Sequence, residues 1–201
     1  MAVSVVLHFN KPVNESATKI YDAIVEEMGV QDNPAKGAIY HWCAPRPDGG
    51  LLICDVWETR DDFERFSQEK IGPLTQKHGL PPPQIEFSQV YKIINGKLAS
   101  RKGTGVFAEC KGDPDDMLRG YDEANAKMGI VQSPPQGLVF HYSMKTPSGL
   151  RVIDHWASRQ DFDRFVESQL QGALQAAGLP RPEITFYDIH NTIDARTVTK
   201  I

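Results

Sequence analysis

The chain is short of the features that mark most specialised protein classes. Three cysteines, Cys43, Cys54 and Cys110, are too few and too widely spaced for a disulfide framework or a CxxC zinc site, and they read as buried thiols. Nowhere do eighteen apolar residues run together, and the opening MAVSVVLHFNK lacks a basic start leading into a long apolar stretch. Neither a spanning helix nor a leader is therefore predicted, and a cytoplasmic location is expected. An excess of positive charge is missing too: 22 Lys and Arg against 26 Asp and Glu give a net charge of -4. That leaves no basic stripe to neutralise a phosphate backbone, so nucleic acid is not an expected partner. No glycine-rich loop follows a strand to cradle phosphates and no GxSxG occurs, so nucleotide use and serine hydrolysis are unsupported. What remains, 40% apolar and 24% charged residues, is the composition of a folded globular protein with a proper core.

What is present is a repeat. Gly50 to Phe66, GLLICDVWETRDDFERF, recurs at Gly149 to Phe165 as GLRVIDHWASRQDFDRF, with nine of seventeen positions identical and no gap. Within each copy an apolar run suited to a strand ends at Trp57 or Trp156, and helical spacing follows, with Phe63 and Phe66 three apart. Thr59 with Asp62, and Ser158 with Asp161, have the spacing of a helix-opening box. Each such cap is worth about 1 kcal/mol.

The rest of the chain falls into order around the repeat. VSVVLHF at 3 to 9 alternates as a half-buried strand does. A helix follows, capped by Asn14, with Ile20, Ile24 and Met28 on one face and Gly29 as its left-handed stop. AIYHWCA (38 to 44), the turn RPDGG and the repeat stretch form a hairpin. The helix after Thr59 is expected to run unbroken to Gly79, where Leu-Pro-Pro-Pro ends it. QIEFSQVYKI is a fourth strand. This βαββαβ order marks a ferredoxin-like unit. It begins again with GVFAEC, a helix opened by Asp113-Pro114 and closed by Met128-Gly129, LVFHYSM, the second repeat copy and ITFYDI. The expected organisation is one domain over 1–94, a polar linker over 95–104 and a second domain over 105–201, with no structure assigned to the tail from Asn191.

Loop length sets strand register. A three-residue loop, Pro47 to Gly49, places His41 opposite Asp55; a two-residue loop, Pro147 and Ser148, places His141 opposite Asp154. Parity then puts His41, Asp55 and Trp57 on one sheet face, and His141, Asp154 and Trp156 on the equivalent face of the second copy. Each His with its Asp could be a general base, the carboxylate fixing the tautomer while the imidazole takes a proton. It could equally be a buried pair that specifies register, or the Asp could be answered by Arg65 or Arg164. The tryptophans are core anchors or pocket walls for a flat substrate, or both. His8, whose counterpart is Ala108, is with Asn10 a further ligand-binding candidate in the first half. His155 adds a ligand type nearby, but the spacing carries no metal signature, and no metal is expected.

The junction DVWETRDDFERF and DHWASRQDFDRF, with the βαββαβ order, resembles the dimeric α+β barrel superfamily, and within it the antibiotic-biosynthesis-monooxygenase-like group. The resemblance covers nearly the whole chain. It implies an α+β fold in which two tandem ferredoxin-like domains bring their antiparallel sheets together as an intrachain pseudo-dimeric barrel, with further homo-oligomerisation left open. It also implies a pocket between sheet and helices, lined by the aromatic residue that ends the third strand, here Trp57 and Trp156. Members include cofactor-independent oxygenases of polycyclic aromatic or quinol substrates, haem-degrading oxygenases and proteins without a known reaction. The haem-degrading members carry a histidine on the following helix; this sequence has none between Trp57 and His78 or between Trp156 and His190. The function implied is oxidation or rearrangement of an aromatic or polyketide-like small molecule without a cofactor. The rival is a non-catalytic small-molecule-binding or assembly module.

Overall fold

Two hairpins built on the repeated stretch organise the computed structural model, which describes residues 1–196. The chain divides into two compact units, the first comprising Met1–Gln89 with the segment from Ile189 onward, and the second Val90–Asp188. Unit 1 contains β1 (Val3–Phe9), α1 (Ala17–Met28), β2 (Ala38–Pro45), β3 (Leu51–Trp57), α2 (Arg60–Phe66), α3 (Gly72–His78) and the start of β4 (Gln84–Asn95). Unit 2 contains the remainder of β4, then β5 (Gly103–Lys111), α4 (Pro114–Met128), β6 (Leu138–Thr146), β7 (Gly149–Trp156), α5 (Arg159–Phe165), α6 (Gln171–Ala176) and all of β8 (Glu183–Ile189) but its last residue. A last strand, β9 (Asn191–Asp194), belongs to unit 1. Each unit has the βαββαβ order, with strand neighbours β4-β1-β3-β2-β9 in unit 1 and β8-β5-β7-β6-β4 in unit 2.

The units part at different places from the polar stretch at 95–104. Val3–His8 of β1 pairs with Gln84–Gln89, whereas Val90–Asn95 pairs with β6. Asn191–Asp194 pairs with β2, so the tail that composition leaves blank supplies an edge strand. Pairing of this kind is a long-range property, and local polarity does not encode it.

Strand register follows the hairpin loops as expected: His41 lies opposite Asp55 and His141 opposite Asp154. Just beyond each histidine the strand is bulged, between Ala38 and Tyr40 and between Leu138 and Phe140. One face of the unit 1 sheet, carrying Val5, Leu7, Phe9, Cys43, Ile53 and Trp57, packs against Ile20, Tyr21, Ile24 and Val25 of α1. In unit 2, Val106, Leu138 and Trp156 pack with Phe162 and Phe165. All three cysteines are buried and unbridged. Among the described residues no helix is long and apolar enough to cross a membrane.

The helices start and stop largely where the residue types require. Thr59 Oγ1 accepts from Asp62 N at 3.1 Å, and Ser158 Oγ from Asp161 N at 3.2 Å. Asp113 caps α4, and Gly29, Gly79 and Gly129 close their helices in the left-handed region. Helix α1 is capped by Ser16 rather than Asn14, its hydroxyl accepting from Lys19 N. The helix expected to run unbroken from Thr59 does not: Ser67–Ile71 forms a π-helical turn between α2 and α3, and Val166–Leu170 does the same in unit 2.

Gly37 and Gly137 sit at φ 85° and 86°, and a Cβ there would lie 2.6 Å from Asp62 Cγ and 2.4 Å from Asp161 Cγ. Both backbone strain and displacement of the capping aspartate follow from adding a methyl group. Gly37→Ala and Gly137→Ala are each expected to lower stability by about 1–3 kcal/mol. Urea unfolding measures this, and a midpoint unchanged by either substitution would contradict it.

Candidate functional site

In unit 1 the site begins with the pair that the hairpin sets. His41 Nδ1 lies 2.7 Å from Asp55 Oδ1. Asp55 and Trp57 are two apart on β3 and so share a face, which lets the Trp57 indole N–H donate to Asp55 Oδ2 at 3.3 Å. The far side of the imidazole is met from α1: Tyr21 follows Ile20 on the buried helix face and places its hydroxyl 2.7 Å from His41 Nε2. The two rings lie parallel within 4°. Asn191 of β9 completes the cluster by donating from Nδ2 to the Tyr21 oxygen at 3.0 Å.

Unit 2 repeats the arrangement. Tyr121 lies 2.6 Å from His141 Nε2, His141 Nδ1 lies 2.7 Å from Asp154 Oδ1, and the Trp156 indole donates to Asp154 Oδ2 at 3.1 Å. Proton placement follows from what each group can do. An indole N–H only donates and a carboxylate only accepts, so one Asp oxygen holds the Trp proton and the other the His Nδ1–H. The Nε2 lone pair is then the acceptor for the tyrosine hydroxyl. Burial pushes the Tyr21 and Tyr121 phenols well above their ordinary range, which keeps both as neutral O–H donors.

Each relay faces an apolar cavity of about 80 Å³. In unit 1, Tyr21, His41, Asp55 and Trp57 line it together with Phe66 and Ile71. In unit 2, Tyr121, His141, Asp154 and Trp156 do so with Phe165 and Leu170. The last two residues named in each set bracket the π-helical turns, a departure from regular helix that is frequent beside functional sites. Among the described residues no group of three or more His, Cys, Asp or Glu is disposed to hold a metal ion. The imidazoles do not suit a haem iron, since both ring nitrogens of each are already hydrogen-bonded.

The structure therefore brings together His41, Asp55 and Trp57, and likewise His141, Asp154 and Trp156. It does not bring His8 to them: His8 alternates away from Leu7 and Phe9, does not line the cavity, and lies 3.5 Å from Glu86. His155 is also apart, with Nε2 3.2 Å from the Lys102 carbonyl. Arg65 and Arg164 pair with Asp62 and Asp161 and leave the buried carboxylates to the relay. Sequence reasoning misses Tyr21 and Tyr121. The signal that finds them is their separation of one hundred residues, the same as that of His41 and His141.

No protein-family model matches the chain, and no curated protein matches its sequence. Solved structures do match in shape. A "putative monooxygenase from Lactobacillus acidophilus NCFM" superposes with a TM-score of 0.73 at 7% identity, over 96% of this chain and 97% of that one. An "anthrone oxidase-like protein" does so with a TM-score of 0.54 at 16% identity, over 98% and 94%. A mutant chlorite dismutase from Candidatus Nitrospira defluvii gives 0.59 at 11% identity, over 94% and 91%. At such identities the likeness is one of fold. The chain shares their α+β fold, here built as two ferredoxin-like units of βαββαβ order.

Proposed function

We propose that this protein is a small-molecule oxygenase of the monooxygenase-like kind, which removes a proton from a flat, largely apolar substrate and lets oxygen react with the resulting anion without a cofactor. The observation that carries the reading is the Tyr–His–Asp relay, 2.6–2.7 Å at each link, facing an apolar cavity in both units. The names of two fold neighbours, a "putative monooxygenase" and an "anthrone oxidase-like protein", support it.

The chemistry follows from the proton inventory. A substrate with an acidic C–H or O–H gives its proton to the tyrosine oxygen as the tyrosine proton passes to His Nε2. The imidazolium so formed is held against the Asp carboxylate, whose opposite charge stabilises it. Trp57 and Trp156 hold the carboxylates in place and wall the cavity. The substrate anion is the electron-rich form that can reduce oxygen. For an anthrone methylene, one oxygen atom becomes the new carbonyl and the other leaves as water with the two methylene hydrogens. The apolar lining excludes the bulk water that would quench the anion.

The test is oxygen uptake by the full chain, after metal removal, with a panel of anthrones and hydroquinones. Wild type is expected to turn over at least one of them, and His41→Ala with His141→Ala to abolish uptake while the single variants show which unit works. Binding without uptake across the panel would replace the reading with that of a non-catalytic small-molecule-binding module.

A further inference from the structure

The hydrogen-bond chain of unit 1 does not end at Tyr21. Asn191 Nδ2 donates to the Tyr21 oxygen at 3.0 Å and to Gln31 Oε1 at 3.1 Å, and Gln31 Nε2 donates to the Thr192 carbonyl at 3.0 Å. These directions are forced. A backbone carbonyl only accepts, so Gln31 turns its NH2 to Thr192 and its oxygen to Asn191; Asn191 must then present its own NH2, and both of its hydrogens are used. The Tyr21 oxygen, holding the Asn191 N–H, has its own proton left for His41 Nε2. The Asp55 end gives the same answer, since the carboxylate takes the Nδ1–H and leaves Nε2 as an acceptor.

Unit 2 differs at both positions of this arm. One hundred residues after Gln31 stands Val131, 51% exposed. The register equivalent of Asn191, which lies opposite Cys43, is Lys92, opposite Ser143, and the lysine ammonium pairs with Asp122. The Tyr121 oxygen has the Ser143 and Asn125 side chains beside it. A hydroxyl and an amide can each donate or accept, so they do not by themselves dictate which way the Tyr121 proton points.

We infer that Asn191, oriented by Gln31, is a positioning residue of the unit 1 relay: by donating to the Tyr21 oxygen it fixes the tyrosine proton on the side of His41 and keeps Nε2 unprotonated, the state in which His41 is a base. The same N–H stabilises the negative charge that gathers on that oxygen while the proton moves to His41. This role rests on the reading of Tyr21 and His41 as a proton relay, and not on which substrate is consumed.

The test is the protonation of His41, read from the imidazole nitrogen resonances of the full chain at neutral pH, with His141 in the same spectrum as an internal reference. In wild type both rings are expected to carry a proton on Nδ1 and none on Nε2, and the Asn191 Nδ2 hydrogens to exchange with solvent more slowly than those of the exposed Asn10. Asn191→Asp keeps the size of the side chain and removes the donor. The half-buried carboxylate accepts the Tyr21 hydroxyl in a charge-assisted bond, so His41 Nε2 faces a lone pair and is expected to gain a proton, while His141 is unchanged. A His41 Nε2 that stays unprotonated in Asn191→Asp, or Asn191 amide hydrogens that exchange in wild type as fast as those of Asn10, overturns the inference and leaves the relay and its proposed chemistry standing. A proton on His41 Nε2 in wild type overturns both, since the histidine would then be no base.

Discussion

Asp154→Ala is expected to destabilise unit 2 by about 3–5 kcal/mol, among the largest losses open to a single substitution in this chain. Asp154 is 6% exposed and Trp156 1%. Removing the carboxylate strands two buried donors at once, the His141 Nδ1–H and the Trp156 indole N–H. The imidazole can relieve part of this by moving its proton to Nε2. It then donates to Tyr121 instead of accepting from it, and the base is lost along with the stability. Asp55→Ala removes the same two partners in unit 1. The contrast is with the exposed helical pairs Arg60–Glu64 and Arg159–Asp163, whose loss is worth no more than about 1 kcal/mol. Chemical denaturation of the two sets of variants measures the difference. A loss at Asp154 as small as that at the helical pairs would mean that the carboxylate does not anchor the site.

That so much of the site is legible in sequence has a definite cause. Strand pairing across a short hairpin is local, so counting loop residues from Pro47 to Gly49 and over Pro147 and Ser148 is enough to set His41 against Asp55 and His141 against Asp154. The tyrosines are different. Tyr21 reaches His41 through packing of α1 on the sheet, and nothing local to either residue encodes that contact. Asn191 is further still, because it arrives from the opposite end of the chain on β9. The π-helical turns are hidden for another reason: Phe63 and Phe66 have ordinary helical spacing, and the widening at Ser67–Ile71 comes after it. His8 lies outside the cavity lining because strand alternation, which the sequence does show, aims it away from Leu7 and Phe9.

Tyr21→Phe combined with Tyr121→Phe is expected to have the largest effect on chemistry. The hydroxyl joins cavity to histidine in each unit, while the His–Asp and Trp–Asp bonds do not depend on it. Phenylalanine keeps the ring and its packing and removes only the atom that relays the proton. General acid–base catalysis contributes about 10²–10⁴-fold, and that is the expected fall in the rate of oxygen uptake. The structural effect is separate: Tyr121→Phe loses the hydrogen bond to His141, and Tyr21→Phe loses those to His41 and from Asn191, each worth about 1–3 kcal/mol.

The most direct measurement is therefore kcat for oxygen uptake by this double variant and by wild type, on whichever anthrone or hydroquinone wild type consumes, with KM determined alongside. A fall in kcat of at least about a hundredfold with KM held is the result the relay predicts. Uptake within about twofold of wild type would contradict it, because substrate would then deliver its proton to the histidine without the tyrosine.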